Sequence, residues 1–327
     1  MDISRREFIQ RMVALGFSAA GAAALFSLAA CSKETPPITP PVPGTTTPPP
    51  ATTPVAPPTG STLAVARGNS PAAMTEAVIK ALGGIDNFVK PGNKVIIKPN
   101  MCVAYHTYEY AATTNPEVVG TLVRLCRSAG ASSVKVMDQP FGGTPQQAYL
   151  RSGIQDAVQA SGGEMEIMTP AKFKEYTIPD GRDIKKWHVY CDALEADVLI
   201  NVPIAKHHSL ARLTLGMKNL MGLVLDRPQF HFNLPQCLAD LASLLRPELT
   251  VIDAVRILVN HGPTGGSLDD VKLTNTVIAS ADIVAADAYA TTLFGLTGAD
   301  IPIIRAGAEM GLGIMDLSKI KITEINV

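Results

Sequence analysis

From about residue 61 onward the chain alternates short apolar runs with stretches of helical periodicity. That alternation marks βαβ units, and it predicts an α/β body: a mainly parallel sheet with helices on both faces, in one or two lobes. Val95-Ile96-Ile97 predicts a buried strand. Asn115-Pro116-Glu117 opens a helix to about Ser128, with proline in its first turn and Gly130 closing it. Val134 to Met137 predicts the next strand. Thr144-Pro145 then caps a helix expected to reach about Ser161, and Glu164 to Met168 reads as a third strand. Residues 170–190 are more polar and read as an insertion or edge hairpin around Pro179-Asp180-Gly181. Val198 to Val202 is a strongly apolar strand, residues 209–225 and 234–246 read as helices, and Leu249 to Ile252 is another strand. A Gly-rich loop covers 261–270, and Val277 to Ala279 ends a strand. Helices follow over Ala281 to Leu296 and Ile303 to Met310, with a closing strand over Ile320 to Val327.

The first sixty residues follow a different pattern. Ser4-Arg5-Arg6-Glu7-Phe8 precedes a mildly apolar, Ala- and Gly-rich run from Met12 to Ala30, which ends in Leu28-Ala29-Ala30-Cys31. This resembles a twin-arginine export signal with a lipoprotein cleavage box. The resemblance implies a signal peptide over 1–30, passage through the twin-arginine machinery and a lipid on Cys31. The body would then be tethered to a membrane, in the periplasm or on an outer face. The same run approaches the length that spans a bilayer, so an uncleaved anchor is the alternative. Residues 31–60 are mostly Pro and Thr with little to bury, and predict a disordered, extended stalk ahead of a single body over 61–327.

Composition narrows the function classes. The formal net charge is -1, and losing residues 1–30 makes it one unit more negative. Aromatics are 5%. Neither a basic surface nor a stacking surface is indicated, so no nucleic-acid partner is expected. Past Cys31 the cysteines are Cys102, Cys126, Cys191 and Cys237, with no C-x-x-C pair. A zinc ribbon or an iron–sulfur cluster is therefore not expected. Cys126 falls among apolar helix positions and reads as a buried, inert thiol.

The candidate chemistry follows the strands. Lys98 and Asn100, Asp138, Lys206 with His207 and His208, and Asp253 each come after an apolar run. The carboxyl ends of parallel strands share one edge, where ligands bind. Lys218 and Asn219 sit in an otherwise apolar, Gly-punctuated segment, where an ammonium must reach water or an anion. Gly262 and Gly265 belong to a loop whose amides suit a phosphate or carboxylate, and Asp287 falls on an Ala-rich helix near the same edge. Three lysines converging make a site for an anionic small molecule, with Asn100 and Asn219 adding oriented hydrogen bonds. Lys98, Lys206, His207, Lys218 and Asp253 are the catalytic candidates, His207 and Asp253 as a general base with its orienting carboxylate. The alternative is a divalent metal on His207, His231 and Asp253, since imidazole and carboxylate suit zinc or iron. Adjacent histidines point apart, so at most one of His207 and His208 joins a given site. No P-loop and no G-x-S-x-G elbow is present.

The ordered set of motifs resembles one family. It comprises Lys98-Pro99-Asn100, Ile200-Asn201-Val202-Pro203 with Lys206-His207, Gly216-Met217-Lys218-Asn219-Leu220-Met221-Gly222, Ile252-Asp253-Ala254 with Gly262-Pro263, and Ala279-Ser280-Ala281-Asp282 with Ala286-Asp287-Ala288. Together these resemble the uncharacterised DUF362 family over about residues 62 to 320. Many members carry a ferredoxin-like cysteine segment and are described as iron–sulfur proteins; this chain lacks that segment. The expectation is an exported envelope lipoprotein with a Lys/His/Asn/Asp-lined crevice, acting as an acid/base or metal-assisted enzyme. Its alternative is a non-catalytic binding or structural lipoprotein.

Overall fold

The computed structural model describes residues 63–327, so the expected export signal, Cys31 and the Pro/Thr stalk lie outside the described residues. In chain order these form β1 (Leu63–Arg67), α1 (Pro71–Ala81), β2 (Lys94–Pro99), α2 (Pro116–Ser128), β3 (Ser133–Val136), α3 (Pro145–Arg151), α4 (Ile154–Ala160) and β4 (Glu164–Met165). There follow β5 (Phe173–Thr177), β6 (Lys186–Tyr190), α5 (Asp192–Glu195), β7 (Val198–Val202), β8 (Ile204–His208), β9 (Arg212–Thr214), α6 (Gly216–Asn219) and α7 (Leu234–Leu245). The chain closes with β10 (Leu249–Leu258), β11 (Val271–Ser280), α8 (Ile283–Thr291), α9 (Pro302–Glu309) and β12 (Ile322–Asn326). No helix among them is long and apolar enough to cross a membrane.

The main sheet runs β12-β1-β11-β10-β7-β2-β3-β4. Every pairing along it is parallel except those of β11, which runs against both β1 and β10. Side chains alternate faces along each strand. Leu63, Val65, Ile96, Leu199, Ile252 and Ile278 point into one core, with residues of α6 to α9 and of the β5–β6 hairpin. Ala64, Val95, Ile97, Ile200, Val251 and Val277 point into the other, beneath α1 to α4. Helices thus cover both faces, which is why the central strands read as continuous apolar runs. The 170–190 segment forms its own antiparallel hairpin, β5 with β6.

Four elements differ from the sequence expectation. The helix begun at Thr144 breaks at Gly153, whose φ of 77° ends one helix and starts the next. The 209–225 helix is instead the β8–β9 hairpin, the four-residue α6 and a 3-10 turn over Leu220–Leu223. The strand begun at Leu249 runs on to Leu258, which puts Asp253 in mid-strand rather than at a carboxyl end. The strand begun at Glu164 keeps its ladder only to Met165. β1 and α1 had no counterpart in the sequence reading. Lys206 and His207 lie within a strand: Pro203 interrupts β7, and β8 continues alongside β10 with Asp253 opposite Ile204.

Asp253 is a tie between layers. Its Oδ2 accepts from the Asn115 N–H at 2.7 Å and its Oδ1 from the Val255 N–H at 3.0 Å. Asn115 in turn caps α2 through its own side chain. Burial pushes the Asp253 carboxyl up to about 6, against the pull of those two donors. The folded value lies above the unfolded one of about 3.9. The group's contribution to stability is therefore fullest below about pH 4 and is lost as pH rises through about 6. Asparagine has a single acceptor oxygen and turns an NH2 toward one of the two amides. Asp253→Asn is expected to cost about 1–3 kcal/mol in urea unfolding at neutral pH. The gap to the parent should widen from pH 7 to pH 5; a constant gap would mean Asp253 does not titrate there.

Candidate functional site

The ends of β2, β3 and β8 meet α6 around a buried ion pair. Lys98 Nζ lies 2.8 Å from Asp138 Oδ1, both side chains almost fully buried. The same ammonium donates to Asn219 Oδ1 at 2.9 Å and to the Pro99 carbonyl at 3.0 Å, so all three hydrogens are placed. Asp138 also accepts from the backbone N–H groups of Met101 and Gln139. Asn219 Nδ2 donates to the Lys98 carbonyl and to Asn201 Oδ1, and Asn201 donates to the Gly216 carbonyl. Asn100 extends the chain outward: its Nδ2 donates to Asn219 Oδ1 and its Oδ1 accepts from Lys206 Nζ at 3.1 Å. Lys206 Nζ also donates to the Ala112 carbonyl.

Two details hold α6 in place. Asp287 on α8 accepts from the Gly216 and Met217 N–H groups at 2.6 and 3.0 Å, occupying the open end of the short helix. Gly222 packs on the ion pair so closely that a Cβ there would strike Asp138 Oδ1 and stand 2.7 Å from Lys98 Nζ.

Above this network opens a cleft of about 440 Å³ lined by Lys98, Asn100, Asp138, Lys206, Lys218 and Asn219, with His231 at its exposed mouth. Cys102, His208 and Arg227 line it as well. Arg227 donates to the Gln139 and Pro140 carbonyls and, among the described residues, has no carboxylate partner. The half-buried Lys218 has its ammonium 3.2 Å from the Met221 Sδ. Burial, with the Lys206, Lys98 and Arg227 cations nearby, pushes its ammonium down to about 8. Burial and the Lys218 and Lys206 cations hold His208 down at about 3, so the ring is neutral. Its Nδ1 accepts from the Leu210 and Ala211 N–H groups, which leaves the proton on Nε2 as a fixed donor.

Residues 95–292 match the family described as a domain of unknown function (DUF362), a span that contains every residue lining this cleft. The chain belongs to the DUF362 family. The thylakoid-associated protein sll1697 of Synechocystis sp. is 27% identical over 249 residues, 73% of this chain and 75% of that protein. Among solved structures, the lactate racemase apoprotein from Thermoanaerobacterium thermosaccharolyticum is similar at a TM-score of 0.44 and 13% identity. The shared part covers 70% of this chain and 56% of that one, so this chain spans little more than half of that protein's length.

Within the DUF362 chain, the other residues singled out from sequence lie away from the cleft lining. His207 points to the opposite side of β8, where its Nδ1 accepts from the Gly262 N–H at 3.1 Å. Gly265 packs on Leu258. Asp253 and Asp287 are buried in the backbone ties described above. His207, His231 and Asp253 are not brought together as a ligand set. Among the described residues the group with metal-ligand spacing is Cys191, Asp192 and Glu195. There Asp192 is held by Lys172 at 2.9 Å, and burial and carboxylate neighbours raise the Cys191 thiol. Within the cleft, the surrounding cations oppose a further positive ion. The four thiols Cys102, Cys126, Cys191 and Cys237 are unpaired, and burial pushes Cys126 up to about 12.

Sequence reasoning left the choice between His207 and His208 open and missed Cys102 and Arg227. Period-two alternation would have chosen His208 and found Cys102: Lys206 with His208 on β8, and Lys98, Asn100 and Cys102 along β2 and its extension. Arg227 has no comparable signal. The ion pair makes a sharp test. Asp138→Ala leaves the buried Lys98 uncompensated and is expected to cost about 3–5 kcal/mol. Gly222→Ala, which only crowds the pair, is expected to cost about 1–3 kcal/mol. Chemical denaturation measures both, and equal, negligible costs would show that the pair carries no structural weight.

Proposed function

We propose that this cleft binds a small organic or inorganic oxyanion, such as a carboxylate or phosphate, and that the protein presents it outside the membrane as an exported lipoprotein. One observation carries the binding reading: four cations, Lys98, Lys206, Lys218 and Arg227, line the cleft against one carboxylate, Asp138, already held by Lys98. Such an excess in a half-enclosed site is costly unless an anion or water offsets it. The neutral His208 and the Asn100 amide add neutral hydrogen-bonding groups beside those charges. Lys218, near 8, is suited to give or take a proton at neutral pH, which favours an acid/base enzyme over a passive binder. His207 and Asp253 each accept from backbone N–H groups, so Lys218 takes the acid/base role.

Malonate is the better probe, because its carboxylates stay ionised while Lys218 titrates. Calorimetry is expected to show binding that weakens with added salt and weakens again as pH rises through about 8, as Lys218 loses its charge. Arg227→Ala should lower the affinity about 10–100-fold, the worth of a charge-assisted hydrogen bond. Malonate and phosphate both failing to bind would sink the reading.

The address rests on Arg5-Arg6 and on Cys31 at the end of the apolar run. Replacing both arginines by lysine is expected to hold the protein inside the cell, and Cys31→Ser to release it from the membrane fraction into the soluble envelope fraction. Unchanged fractionation of both variants would point to the uncleaved anchor instead.

A further inference from the structure

The three lysines of the cleft are not equivalent. Lys98 Nζ has a carboxylate, an amide oxygen and a backbone carbonyl as partners. Lys206 Nζ has the Asn100 amide oxygen and the Ala112 carbonyl. Lys218 Nζ meets a thioether and, among the described residues, no oxygen partner, although its side chain lines the cleft. A thioether is a weak acceptor, so the contact suits an uncharged amine better than an ammonium with three strong donors to place. The same cleft is lined by the Arg227 guanidinium, which is bonded to backbone carbonyls and not to a carboxylate among the described residues, and by an imidazole donor, His208, whose proton is fixed on Nε2.

We propose that Lys218 is a covalent site: its amine condenses with the carbonyl of a 2-oxo carboxylate held in the cleft. This rests on the anion-binding reading above and adds the substrate class to it. The carboxylate of such a ligand meets Arg227 and Lys206, while the adjacent carbonyl faces Lys218, with the His208 Nε2–H available to polarise its oxygen. The Nζ lone pair attacks the carbonyl carbon, giving a carbinolamine. The C–O bond then breaks and the oxygen leaves as water carrying the two amine hydrogens, with a C=N double bond in its place. No oxidant, reductant or second reactant is required. The chemistry needs the unprotonated amine, and clustered cations are a known way of providing it. Here burial and the Lys206, Lys98 and Arg227 cations act in that direction.

The test is reductive trapping on the full-length protein. Pyruvate is added with sodium borohydride, and the digested chain is mapped by mass spectrometry. A reduced adduct is expected on the peptide that holds Lys218, with a yield that rises between about pH 7 and about pH 9. Excess malonate should suppress it. Butanone, a carbonyl compound without the carboxylate, should give at least tenfold less. Lys218→Met keeps the apolar stem and should lose the adduct entirely. Thermal melting on the same variant establishes that it is folded, and malonate calorimetry on the parent protein establishes that the cleft takes the anion. Malonate binding without any adduct, or an adduct on Lys98, Lys206 or surface lysines alone, would overturn the covalent assignment and leave the anion cleft standing. Absence of both malonate binding and trapping would overturn the two together.

Discussion

An ammonium buried beside a carboxylate governs the arrangement of the site. Lys98 and Asp138 lie at the ends of neighbouring parallel strands, and neither is tolerable there without the other. Satisfying their remaining donors and acceptors recruits distant segments. Asn219 must come from α6, the Met101 and Gln139 amides from the loops beyond β2 and β3, and Gly222 from the turn that leaves room for the pair. α6 is too short to be stable by itself, so it depends on Asp287 at its start and on Asn201 beneath its first carbonyl. Two further acidic or amide side chains are thereby committed to holding one turn of helix. The polar residues of the motifs divide between the ligand space and this scaffolding.

Much of the sheet was legible from sequence because strands covered on both faces leave unbroken apolar runs, as at Val95-Ile96-Ile97 and Val198 to Val202. The same completeness of burial hid residues 209–225. β9, α6 and the following turn are buried nearly all round, so apolar spacing there fits a helix as well as the hairpin that forms. Leu63–Arg67 was missed because two of its five residues are alanines beside a Pro/Thr stretch, too weak a run to stand out.

The site was legible to the extent that a polar residue after a strand marks the ligand edge. Lys98, Asn100, Asp138, Lys206, Lys218, Asn219 and His231 all line one cleft. The rule does not separate Asp253 or Asp287, because a carboxylate that caps backbone N–H groups inside the fold has the same sequence appearance as one that faces a ligand. Nor does it choose between His207 and His208. That choice depends on whether the segment is strand or loop: in β8 the alternation sends His208 with Lys206 to the cleft and His207 to the Gly262 loop.

Three lysines in one cleft show how environment assigns different states to one residue type. Lys98 is charge-paired and serves the scaffold. Lys206 is fully buried among an amide oxygen, a carbonyl and the Cys102 thiol, and burial lowers its ammonium. It links the scaffold to the ligand space. Among the described residues Lys218 has no oxygen partner, and it stands next to the buried Asn219 on a helix whose first turn Asp287 caps. The Lys98–Asp138 pair, by anchoring Asn219, therefore also fixes the backbone from which the neighbouring amine enters the cleft, where burial and cations weaken its hold on a proton.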